Sequence, residues 1–268
     1  MGLAYYVLNS SLGPSSPAHS PVTTSAGTAA TPATHTSATA TSAGSTTKQR
    51  TTVKGEKVIG VTDLTNPKKL LSTFKAMTVT LYMNRSNVTN TITFSYRVSE
   101  GGVIANASTY KVRISISAEG KNVSALLWIT KDFSNVVKVE MPNGRVLTGA
   151  NAALYGRMLL MKLNQYMLAS GDMGRLRIYM FPNGTLKSSL PGWKVVSVKK
   201  AQLSIGGRSY DGYRVFFKQL SSNSSKVSTL EVGIAKIRNN LWYFSYIKLV
   251  LSQGVALIRV EHFELAGA

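Results

Sequence analysis

Cysteine is absent from this 268-residue chain. That removes disulfides, thiolate metal sites and thiol catalysis together, and leaves stability to core packing and backbone pairing. Acidic residues are scarce, 11 Asp and Glu against 31 Lys and Arg, so the formal net charge is +20. Histidine occurs three times, and only His262 lies outside the N-terminal low-complexity tract. Long apolar runs are missing too. Met1–Leu8 reads Met-Gly-Leu-Ala-Tyr-Tyr-Val-Leu, well short of the ~20 residues that span a bilayer. Residues 1–9 are therefore expected to be the outer end of a membrane anchor or signal segment.

The scarcity of acids, more than any excess of bases, sets the charge. A protein bathed in acid gains little from carboxylates that would be protonated there. An acidophilic exterior is one expectation, and attraction to an anionic membrane or glycan surface is the competing one. The bases stand singly along strand-like segments (Lys111, Arg113, Lys138, Arg177, Arg214, Lys236, Arg259). Without a basic stripe or recognition motif, nucleic acid is not expected as a partner.

What is present first is a stalk. From Ser10 to Thr52, 21 of 43 residues are Ser or Thr and none is acidic. Such a tract buries too little apolar area to offset its ordering entropy, and its composition matches O-glycosylated spacers. Asn-x-Ser/Thr sequons at Asn84, Asn87, Asn106, Asn122, Asn183 and Asn223 add glycosylation candidates. The expected organisation is an anchor remnant at 1–9, a disordered stalk at 10–57 and a globular domain at 58–268. Stalk and sequons together suggest an extracellular, membrane-tethered surface glycoprotein of archaeal type.

The folded part reads as α+β. Asn66 caps a short helix with Pro67 at its first position and Leu70, Leu71 and Phe74 on one face. Period-2 alternation follows through Met77–Met83, Thr91–Val98, Tyr110–Ser117, Asn122–Thr130 and Val136–Met141, punctuated by Gly-containing turns. One long helix is expected over Ala150–Ser170, with Gly171 as its stop. Strand texture then resumes from Leu176 to Leu265. The fold class is thus a large curved antiparallel sheet packed against one long and one short helix.

Catalytic chemistry finds no foothold in the pattern. His262 shares a strand face with Ile258 and Val260, which reads as a packed rather than a catalytic setting. Ser72-Thr-Phe-Lys75 matches Ser-x-x-Lys, but the same spacing recurs elsewhere and no Lys-Thr-Gly strand completes it. No phosphate-binding glycine loop and no ligand cluster for a metal occurs. No enzyme activity, cofactor or metal is expected. The chain offers instead large adaptable apolar side chains: Met158, Leu159, Leu160 and Met161 on the long helix, and Trp242, Tyr243 and Phe244 in a late strand.

The element order, with its Tyr110-x-Val-Arg-Ile, Leu127-Trp-Ile and Asn135-x-Val-Lys-Val-Glu strands before a helical lid, resembles the half-barrel of the LolA/LppX-type lipoprotein carriers over roughly residues 66–265. That resemblance implies a curved sheet folded over helices around a cavity for acyl chains or other apolar cargo. It makes Phe94, Tyr96, Leu127, Met158, Met161 and Trp242 candidates to line the cavity. The lipoprotein cysteine is absent. A stalked binding protein for a lipid or other apolar ligand is one reading. A structural surface-layer, filament or adhesion subunit is the other, with sheet edges pairing between copies.

Overall fold

The computed structural model describes residues 57–85, 88–220, 228–252 and 254–267. The anchor and the stalk up to residue 56, with the sequons at Asn87 and Asn223, lie outside the described residues. Strand pairing begins with β1 (Lys57–Gly60), and α1 (Pro67–Thr73) follows. The Asn66 side chain caps α1 by accepting from the Lys68 N–H. β2 (Phe74–Arg85), β3 (Val88–Ile104), β4 (Ala107–Ala118), β5 (Lys121–Thr130), β6 (Val136–Glu140) and β7 (Val146–Thr148) form one antiparallel meander. After α2 (Gly149–Tyr166) come the short strands β8 (Arg177–Met180) and β9 (Leu186–Ser188). A second meander closes the chain: β10 (Trp193–Ile205), β11 (Arg208–Gln219), β12 (Thr229–Arg238), β13 (Leu241–Leu251) and β14 (Gly254–Leu265).

The two meanders make one open sheet of eleven strands because β14 pairs antiparallel with β2, from Gly254 opposite Arg85 to Leu265 opposite Phe74. The expected large antiparallel sheet with one long and one short helix is what forms. Alternation decides which face is covered. On β3, Ile92, Phe94, Tyr96 and Val98 are buried while Thr91, Thr93, Ser95 and Arg97 take the other face. Burying each large apolar side chain contributes about 1.5–3 kcal/mol. The sheet also bends strongly. The Gly206 tip of the β10–β11 hairpin sits against the Glu261 carbonyl of β14, and Tyr210 meets Phe263 with ring centroids 5.8 Å apart.

Two covers fill the inner face. Over β2–β6 lie α1 and α2, and the ring of Tyr166 stacks on that of Phe94 at 4.2 Å. Over β10–β13 lies a separate three-stranded sheet in the order β1-β8-β9, whose Ile59 and Ile178 join Val215, Phe217, Val232 and Ile234 in a buried cluster. Buried phenols brace the core: Tyr243 of the sheet donates to the Met167 carbonyl just past α2, and Tyr96 to that of Phe74, where α1 gives way to β2, at 3.0 Å. Burial pushes both phenols above the ordinary tyrosine range, so they remain donors.

Three local expectations are corrected. α2 ends at Tyr166 rather than running to Ser170, because Met167, Leu168 and Ala169 are all buried in succession. A continuing helix would turn one of them to solvent, so the backbone leaves the helix there and Leu168 takes a φ of 59°. The region assigned to the stalk's end contributes a strand from Lys57. β7 and β9, three residues each, are too short to show alternation. No described helix is long and apolar enough to cross a membrane.

Gly156 is where α2 approaches β6. A Cβ there would fall 2.5–2.8 Å from three side-chain atoms of Val136. Gly156→Ala is therefore expected to destabilise the domain by about 1–3 kcal/mol in urea unfolding, despite a helix-propensity gain of about 1 kcal/mol. Val136→Ala in the same chain should recover much of the loss. Stabilisation by Gly156→Ala alone would disprove the close approach.

The few carboxylates are put to use. Hydrogen bonds from Thr130 and Ser134 bring Asp132 down to about 2, those from Thr65 lower Asp63, and the two-pronged grip of Arg97 lowers Glu264. A group with a depressed folded-state pKa adds stability above its unfolded value and loses it as pH falls through the folded value. Stability is thus expected to decline between about pH 4 and pH 2. Urea unfolding at pH 5, 3 and 2 checks this, and a flat profile would contradict it.

Candidate ligand-binding groove

β1 is held from one side only. Its residues pair with β8 in register from Lys57 opposite Met180 to Gly60 opposite Arg177, and the three-stranded sheet places β1 at its edge. Past Gly60 the chain is pinned. The Val61 N–H donates to the Leu176 carbonyl at 3.1 Å, the Thr62 N–H to the Trp242 carbonyl at 2.8 Å, and the Trp242 N–H to Thr62 Oγ1 at 2.9 Å. These bonds fasten the small sheet to β13 at one end. Between that fastening and β11 an open groove of about 410 Å³ remains.

Its aromatic wall is a stacked pair, Tyr213 of β11 and Trp242 of β13, with centroids 5.8 Å apart and planes inclined by 28°. The Lys57 ammonium stands 5.2 Å from the Tyr213 ring centroid, within cation–π range. Arg177 reaches in from β8, and its guanidinium donates to the carbonyls of Val61 and Leu176. Gly60 makes room for it, since a Cβ there would lie 2.6 Å from Arg177 Cδ and 2.4 Å from the Leu176 oxygen. The acid at the groove, Asp63, accepts from the Thr65 N–H at 3.1 Å and its hydroxyl at 2.6 Å, and pairs with Arg175 at 3.5 Å. Those partners hold its carboxyl below the usual range. The buried Asn164 amide of α2 secures the same loop by donating to the carbonyls of Leu64 and Thr65 at 3.3 and 2.6 Å.

The arrangement suits binding. Ring faces and the half-exposed Val58 present apolar surface, while Lys57 presents a positive charge at the rim. The Thr62 hydroxyl is engaged with the Asn240 carbonyl and the Trp242 N–H.

The six residues anticipated for an apolar cavity are not brought together. Phe94, Tyr96 and Leu127 are buried on the inner face under the helices, and Phe94 is in contact with Tyr166. Met158 and Met161 are 43% and 56% exposed, on the solvent side of α2. They fall there because the face carrying Ala152, Gly156, Leu163 and Tyr166 is the one turned inward. Trp242 alone lies in the groove. Lys57, Gly60, Arg177 and Tyr213 were missed as site residues, although the β-branched run Lys57-Val-Ile-Gly-Val61 carries the signal of a short strand.

The described sequons are accessible. Asn84, Asn106, Asn122 and Asn183 are all exposed. Asn106 occupies the β3–β4 turn at φ 62°, and Asn183 accepts from the Thr185 N–H at 3.0 Å in the β8–β9 turn. A second depression, about 390 Å³, lies at Thr91, Thr93 and Ser117 near the same end of the sheet as Asn84 and Asn122.

No family model and no curated protein matches the chain. Among solved structures it is similar to a DUF1329 family protein from Desulfovibrio piger, at 11% identity over 77% of this chain and 92% of that one, with a TM-score of 0.25. It is also similar to a domain described as outer membrane lipoprotein-sorting, from Vibrio parahaemolyticus, at 7% identity over 72% of this chain and 85% of that one, again with a TM-score of 0.25. Likeness at that level leaves the ligand to be argued from the chain's own side chains.

Proposed function

We propose that the folded part of this chain is a non-enzymatic binding domain of an extracellular, stalk-tethered surface protein, and that its groove takes an anionic amphipath such as a fatty acid. The observation that carries this reading is the stacked Tyr213–Trp242 wall with the Lys57 ammonium over its edge. Hydrocarbon lies against the rings and Val58, where contact with apolar surface is favourable, and the carboxylate pairs with Lys57. A volume of about 410 Å³ falls within the range of small-molecule sites. The filled inner face under α2 supports the groove rather than the half-barrel interior as the seat of the ligand. The Ser/Thr tract from Ser10 to Thr52 and the exposed sequons support a glycosylated exterior placement.

Oleate titrated into the purified full chain should change tryptophan fluorescence saturably, and Trp242→Phe should remove most of that change. Lys57→Ala should weaken oleate roughly 2–5-fold, as loss of an exposed ion pair does, while leaving the uncharged oleyl alcohol unaffected. Absence of saturable binding, or equal affinity after Tyr213→Ala with Trp242→Ala, would refute the proposal.

A further inference from the structure

The solvent side of α2 carries an apolar stripe that no element of the described fold covers. Leu154, Met158 and Met161 recur at helical spacing and are 70%, 43% and 56% exposed. Val146 of β7, just before the helix, is 49% exposed as well. The inward face is already satisfied by Ala152, Gly156, Leu163 and Tyr166, so packing within the domain does not explain these side chains. Exposed Met and Leu in a row are costly in water and mark a contact surface.

The charge around the stripe points to its partner. α2 carries Arg157, α1 packed beside it carries Lys68 and Lys69, and neither helix holds an acidic residue. Asp132 and Asp63, the carboxylates whose charge is felt by Lys68 and Lys69, are already held by Thr130 and Ser134 and by Thr65 and Arg175. We propose that this face docks on an anionic lipid bilayer, with Leu154, Met158 and Met161 entering the headgroup boundary and the flanking cations meeting lipid phosphates. A cationic, acid-free helix with an apolar outer stripe is the composition of an interfacial helix. A symmetric contact with a second copy would instead bring like charges of a +20 chain together.

This proposal goes beyond the groove reading and does not depend on it. Because the chain has no cysteine, Met158→Cys supplies a unique attachment point for an environment-sensitive fluorophore on the full chain. Phosphatidylglycerol vesicles should shift its emission to the blue, phosphatidylcholine vesicles should not, and added salt should reverse the shift. Leu154→Ser with Met158→Ser and Met161→Ser changes only exposed positions, and should weaken sedimentation with phosphatidylglycerol vesicles roughly tenfold or more. Oleate titration followed at Trp242 should be unchanged in that variant, which separates this proposal from the groove. No emission shift, an equal shift with phosphatidylcholine, or undiminished sedimentation of the triple variant would overturn it. So would a shift that grows with protein concentration in the absence of vesicles, which would make the stripe an interface between copies.

Discussion

The pairing of β14 with β2 is the contact on which the rest of the architecture depends. It joins a meander that begins at Phe74 to one that ends at Leu265, and so makes a single sheet from two halves that are separated in sequence by α2 and the β8–β9 hairpin. Neither half buries its inner face alone. Bringing strands together over such sequence distance costs loop-closure entropy, which is recovered only when apolar side chains on both halves share one core. Phe74 shows the sharing directly, since its ring touches Tyr243 of β13 and Phe263 of β14 while its carbonyl accepts from Tyr96 of β3.

Once the sheet is joined and bent, its inner face is too long for one cover. α1 and α2 close the part over β2–β6, and the β1-β8-β9 sheet closes the part over β10–β13. The groove is a consequence of that division. β1 is fastened to β13 through Thr62 and Trp242 but is not paired along its length with β11, so aromatic side chains that would otherwise be core remain open to solvent. The division also leaves α2 with an outer side whose apolar stripe serves neither cover.

Charge and polarity follow the same logic. Several of the acids in this basic chain are bound to hydroxyls or guanidinium groups close by: Asp132 to Thr130 and Ser134, Glu264 to Arg97, Glu231 to Tyr246. The bases outnumber any acid that could neutralise them, which leaves a positive field over much of the surface. Such a field favours anionic ligands and surfaces generally, and the two proposals above both draw on it, at Lys57 and at Arg157.

Much of the fold was legible in the chain. The Asn66–Pro67 start of α1, the alternation of Ile92, Phe94, Tyr96 and Val98, and the glycine-marked turns are local signals that depend only on backbone geometry and side-chain period. They determined the element types, the antiparallel pairing of neighbours and which strand faces are apolar. Tertiary structure decided the rest, because it turns on which surfaces meet. Period alone made Met158 and Met161 as eligible for the interior as Leu163, and only the approach of Gly156 to Val136 settled which side of α2 faces inward. Trp242 was recognisable as a large ring on a strand, but its partner Tyr213 lies 29 positions earlier and Lys57 far earlier still. The groove they share exists because a four-residue strand, whose local pattern says nothing of where it docks, lies beside them.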